Sequence, residues 1–260
     1  MPVPQEKLDK FVQFADELIN LASEFFRNPI KCDEENHLGV MAITFSAKQA
    51  EHLISIQILV RERRYADASI IARVMIEGMA LLLWSAKSPN DRPRDWRSYA
   101  LVFDLETVRA KQAAGEKVDT EFEEELLKRL ADEGAQFLKK DANPKEPDSY
   151  KPRWHLGEDK KVVTITAILR ELGNAVIVDL YGDLSDWIHW NAKGIGGGLK
   201  RDGNVVHVSW TTNNWGALAL AAGFQALFQS LEILNEHLGL GHKAALDDIR
   251  QRYVAELGAG

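Results

Sequence analysis

With Cys32 as its single cysteine, the chain cannot form an intramolecular disulfide or a cysteine-built zinc site. It lacks a basic excess as well: 32 Lys and Arg stand against 39 Asp and Glu, a formal net charge of −7. That balance excludes a protein held on duplex DNA mainly by its overall field. The first residues, MPVPQEKLDKFVQFADEL, carry charges where a signal peptide needs an apolar core. The expected compartment is the cytoplasm. There is no repeat on the order of 30–50 residues, no sustained heptad and no low-complexity tail. His-Glu-x-x-His, the P-loop and the Rossmann fingerprint are all missing. Glu34-x-x-His37 occurs once, whereas a di-iron bundle needs that spacing on two helices. The sequence therefore predicts no metal and no cofactor.

What is present is an ordinary globular composition, 45% hydrophobic and 27% charged. The most telling stretch is ADASIIARVMIEGMALLLWSAK, residues 66–87. Its apolar residues lie all round a helical wheel, the mark of a buried helix. It is long enough to raise the question of a membrane span, but Arg73 and Glu77 in its middle argue against one. It reads as the central helix of a bundle. Before it come an amphipathic helix over 5–27, closed by Asn28-Pro29, and a second over about 35–63, whose apolar face Gln49 interrupts. The second ends in Arg61-Glu62-Arg63-Arg64, cations that complement a helix C-terminus.

After the break at 88–93, two helices over about 94–114 and 119–139 form a hairpin set against the bundle. Residues 141–157, DANPKEPDSYKPRWHLG, hold three prolines and form a loop in which Trp154 and His155 anchor the end. Helices over about 164–172 and 175–191 follow, then a glycine-rich segment. A short β-hairpin turns at Asp202-Gly203. Asn213 or Asn214 caps a helix rich in small residues that runs to about 238, and a last helix covers about 243–257. The predicted class is all-α: a helical bundle with a buried central helix, a peripheral helical hairpin and one short β-hairpin. It forms a single helical domain over 1–260, with core helices about 5–87 and 163–258 and the peripheral hairpin about 94–140.

Three features carry chemistry. Tyr181, Ser185 and His189 recur every fourth residue, so they line one edge of a helix beside the stripe of Ile177, Leu180, Leu184 and Ile188. Such a row serves either catalysis or hydrogen bonding between helices. Arg73 and Glu77 lie one turn apart in an apolar helix, where a charge needs a partner. Arg before Glu is the weaker order for an isolated pair, which points to further partners among Tyr181, Ser185 and His189. The glycine segment carries Lys193, Lys200 and Arg201, whose cations and backbone amides suit phosphate binding; its plainer role is a connector. The candidate catalytic set is His189, Arg73, Tyr181, Ser185 and Glu77. The candidate phosphate-binding set is Lys193, Lys200 and Arg201.

The order Arg73-x-x-x-Glu77, Trp154, Leu172-Gly173, then Tyr181-x-x-x-Ser185-x-x-x-His189 resembles a widespread uncharacterised family of bacterial helical proteins, over about residues 35–191. That family is similar in outline to the HEPN group, named for higher eukaryotes and prokaryotes nucleotide-binding. The resemblance implies a helical, often dimeric protein. It also implies a metal-independent ribonuclease of a toxin or phage-defence system, working through an Arg and a His a few residues apart. The literal match to that spacing here is Arg201 with His207, across Asp202-Gly203 and a strand. Two functions follow as expectations. One is action on RNA or a nucleotide, with His189 as general acid and base and Arg73 on phosphate. The other is a non-catalytic ligand-binding or dimerisation module. A homodimer and RNA or a nucleotide are the expected partners, with no duplex DNA and no membrane.

Overall fold

The computed structural model describes residues 3–188, 199–208 and 213–258. In chain order its helices begin with α1 (Gln5–Phe25), α2 (His37–Arg61) and α3 (Tyr65–Ala86), followed by α4 (Arg92–Ser98), α5 (Ala100–Ala113) and α6 (Thr120–Glu133). Then come α7 (Ile165–Glu171), α8 (Ala175–Ile188), strands β1 (Leu199–Asp202) and β2 (Val205–Val208), α9 (Asn213–Leu238) and α10 (Lys243–Leu257). The class is all-α, with the two strands pairing as an antiparallel hairpin, Leu199 opposite Val208 and Asp202 opposite Val205. Packing divides the chain into two compact units. One is Met1–Trp84 with Ile165–Gly260; the other is Ser85–Thr164.

The first unit is built on α9. Its small residues let neighbours approach closely: a Cβ on Gly223 would stand 2.9 Å from Leu53 Cδ1 and 3.0 Å from Ile56 Cδ1, both on α2. Overpacking of this kind costs about 1–3 kcal/mol. α9 is the described helix long and apolar enough to cross a membrane, and 67% of its apolar window is buried, against α1, α2 and α10. That is the arrangement of a core helix. α1 adds Leu8, Phe14, Leu18, Leu21 and Phe25 to the same core, following its spacing of three and four residues. The side chains of Asn213 and Asn214 tie α9 to the chain start: Asn213 Nδ2 donates to the Val3 carbonyl and the Val3 amide donates to Asn214 Oδ1.

α2 starts at Asn36, whose side chain accepts from the Gly39 amide at 2.9 Å, an N-cap. The interruption at Gln49 has a purpose. The residue is 3% exposed, and its amide donates to the Met75 carbonyl of α3 at 2.9 Å, in a gap left by Gly78. The turn from α2 into α3 closes as a Schellman motif. The Arg63 amide bonds to the Val60 carbonyl and the Arg64 amide to Leu59. Arg63 takes φ 56° there, the left-handed conformation usually given to glycine; a side chain in it costs about 1 kcal/mol. α3 buries Ala68, Ala72, Met75, Ile76, Met79 and Leu82, while Ile70 and Val74 on its remaining face are 41% and 39% exposed.

In the second unit, the expected helix over 94–114 is interrupted at Tyr99 and becomes α4 and α5. Tyr99 is buried and donates its phenol to the Lys151 carbonyl. α6 stops at Gly134 rather than near 139, because the chain turns there to bury Phe137. The proline-containing loop is tied down along its length. Tyr150 donates to the Pro144 carbonyl, Lys151 Nζ to the Gln136 carbonyl, and the buried His155 pairs through Nδ1 with the Val163 carbonyl.

Candidate functional site

α3 and α8 run antiparallel, with Arg73 opposite Ser185 and Glu77 opposite Tyr181. α8 begins where Asn174 caps it, accepting from the Ile177 amide. Ile177 and Leu184 then seat it through their buried side chains. This seating turns the 181/185 edge toward α3. A second tie lies further along, where the Trp84 indole donates to Glu171 of α7 at 3.1 Å.

Four of the five residues read as catalytic meet in one network. Arg73 Nε donates to Ser185 Oγ at 2.9 Å. Arg73 Nη2 donates to the Tyr181 phenol at 3.0 Å and pairs with Glu77 Oε1 at 2.9 Å. The phenol in turn donates to Glu77 Oε1 at 2.8 Å, and Ser185 donates back to the Tyr181 carbonyl at 2.7 Å. The guanidinium also lies 5.0 Å from the Tyr181 ring centre, within cation–π range. The weaker order of Arg before Glu is thus offset by two hydroxyls and an aromatic face. Side-chain exposure is 18% for Arg73 and 30% for Glu77, so the pair is half-screened and open on one side. Among the described residues, Arg73 Nη1 and Glu77 Oε2 have no hydrogen-bond partner.

The electrostatics follow from burial. Loss of solvent, then the hydrogen bond and charge of Glu77, push the Tyr181 phenol up to about 12, against the opposing pull of Arg73 and Ser185. Tyr181 therefore stays protonated at neutral pH and acts as a donor. The network as a whole has one positive and one negative charge.

Of the other four predicted residues, two lie on described elements and two do not. His189 and Lys193 fall outside the described residues. Lys200 and Arg201 sit on β1, paired with His207 and Val206. Arg201 and His207 are not register partners, and they lie on a hairpin instead of a helix. Sequence reasoning did not find Gln49 as the clamp of α3; its signal was a polar side chain on an otherwise apolar face. Among the described residues no three of His, Cys, Asp and Glu gather as a metal site.

A discontinuous helical bundle carrying a half-buried Arg–Glu–Tyr–Ser network between two antiparallel helices is the class that fold and site define. The chain belongs to a family of unknown function, DUF5677, whose model matches residues 40–205. That span holds α2 through most of the β-hairpin, and with them all four residues of the network. No curated protein and no solved structure matches the chain.

Proposed function

We propose that the chain acts on RNA or a nucleotide without a metal, at a site centred on Arg73. The observation that carries this reading is the free valence of the network: Arg73 Nη1 and Glu77 Oε2 have no partner among the described residues, although both side chains are largely withdrawn from water. A guanidinium so held is preorganised for a phosphate oxygen, and the open carboxylate oxygen accepts from a ligand hydroxyl. Tyr181, protonated at neutral pH, holds Arg73 and Glu77 in register, and Ser185 fixes the guanidinium plane. His189 supplies the general acid and base, and Lys193, Lys200 and Arg201 gather further phosphates. The resemblance to the HEPN group supports a cytoplasmic toxin or phage-defence setting and a homodimer.

The test is turnover of a panel of RNAs and nucleotides by the chain and its His189→Ala and Arg73→Lys variants. Cleavage that falls at least tenfold in both variants is expected, since each step depends on a positioned group. Equal activity in all three, including none, removes the catalytic reading.

A second reading has its own support. Every hydroxyl in the network both donates and accepts within it, as a helix-to-helix clamp requires. On that reading the chain is a non-catalytic ligand-binding or dimerisation module. Arg73→Lys then lowers stability, and no substrate is turned over.

A further inference from the structure

α3 has the sequence of a helix covered on every side, apolar all round its wheel, yet one side is bare. Ile70 and Val74 are 41% and 39% exposed, and Leu81 is partly exposed. With Glu77 they recur at steps of four, three and four residues, the spacing of a seam between two helices. The other sides are occupied. Ala72, Met75, Ile76 and Met79 are buried, and Arg73 and Glu77 bond to α8.

Two polar groups at this seam have a valence to spare. Arg73 Nη1 and Glu77 Oε2 have no partner among the described residues. They are a donor and an acceptor one turn apart on one helix. Such a pair complements an antiparallel copy of itself. A twofold axis beside Val74 sets Arg73 opposite the partner's Glu77, and does so twice. The same axis sets Ile70 opposite the partner's Leu81.

We propose that α3 is the seam of a homodimer, packed antiparallel on its own copy, with Arg73 on the partner's Glu77 in both directions. Ile70, Val74 and Leu81 supply the apolar strip. A purely apolar partner would leave both valences unmet, and an anion or a cation alone would meet one and repel the other. The inference rests on the second reading of the Arg73 network, a dimerisation module, and names its surface. Substrate turnover counts against that reading, whereas a monomeric chain counts against this inference alone.

Sedimentation of the full chain over a dilution series tests it. The expected result is a dimer that dissociates on dilution, with a Kd on the order of 10 μM, because the strip is narrower than a tight interface. Val74→Asp places two carboxylates at the axis and should weaken the dimer by at least about a hundredfold. Arg73→Glu and Glu77→Arg each set like charges against each other and should be monomeric alone, yet pair when mixed, since each then supplies what the other lacks. Circular dichroism checks that every variant folds. Val74 is exposed, so Val74→Asp keeps the fold and decides the seam should a reversal fail to fold. A monomeric parent at roughly ten times the expected Kd overturns the proposal. So does a Val74→Asp chain that dimerises as tightly as the parent, or a mixture of folded reversals that pairs no better than either alone.

Discussion

Arg73–Glu77 in the first unit and Arg109–Glu123 in the second are Arg–Glu pairs of similar side-chain exposure, 18% and 30% against 20% and 22%. Their surroundings differ. Arg109 spends Nε on the Lys145 carbonyl and Nη1 on Gln112 and Glu123, and the Gln112 amide covers the other oxygen of Glu123. Backbone and amide groups surround it, and the hydrogen bond from Arg109 is the main cause that holds the Glu123 carboxyl below the usual range. Arg73 is surrounded instead by two hydroxyls, and its carboxylate partner keeps one oxygen open. At similar exposure, then, both oxygens of Glu123 are bonded while Glu77 is bonded through Oε1 alone. Exposure alone does not describe such a pair; the identity of the remaining partners does.

The largest break in this comparison should come from truncating the cations. Arg73→Ala leaves Glu77 and Tyr181 half-buried without their donor and should cost about 2–3 kcal/mol in urea unfolding. Arg109→Ala, at a site with more exposed neighbours, should cost about 1–2 kcal/mol. Only the first should affect RNA or nucleotide turnover, and an equal effect of both on turnover would erase the distinction.

Tyr181→Phe comes next, at about 1–2 kcal/mol, because it removes one bond to Arg73 and one to Glu77. It has a companion in pH. Tyr181 is raised above its ordinary value near 10, up to about 12. Its contribution is complete below the unfolded value and is lost as pH rises from there through about 12. Glu123, held low, behaves in the opposite sense: its contribution is present above the unfolded carboxylate range and is lost as pH falls. Melting temperatures across alkaline pH should fall more steeply in the parent than in Tyr181→Phe. Parallel curves would mean that the phenol is not coupled to folding. The smallest effect, about 0.5–1 kcal/mol, is expected for Ser185→Ala, since its hydroxyl also bonds back to its own helix. A double-mutant cycle with Arg73→Lys reads the coupling directly.

Much of this is legible in the sequence, through periodicity and charge. The 3.6-residue stripe of α1 and the isolated charges of α3 each named their residues. The spacing of Tyr181 and Ser185 pointed at Arg73 and Glu77 because a half-buried charge needs partners. What stayed hidden depended on the third dimension. The wheel of α3 reads apolar all round, yet Ile70 and Val74 reach solvent. α9 looked merely rich in small residues, and it proves to be the helix on which the first unit packs, since small size becomes close approach only when Leu53 and Ile56 lie opposite. The basic run at 61–64 read as one feature. Its members have separate fates, in the ion pairs Arg61–Asp16 and Arg64–Asp67 and in the left-handed turn at Arg63.

The first unit is interrupted by the whole of Ser85–Thr164, although Trp84 and Glu171 end within one hydrogen bond of each other. Closing a free loop of that length carries an entropic cost of about 4 kcal/mol. A compact intervening unit lowers it, because a folded insert spans the gap with far fewer freely jointed residues. The Arg73–Tyr181–Ser185 bonds join residues 108 and 112 positions apart, so they close across this insert. The loop that the network must close is thus set by a stretch of chain that contributes none of its four residues.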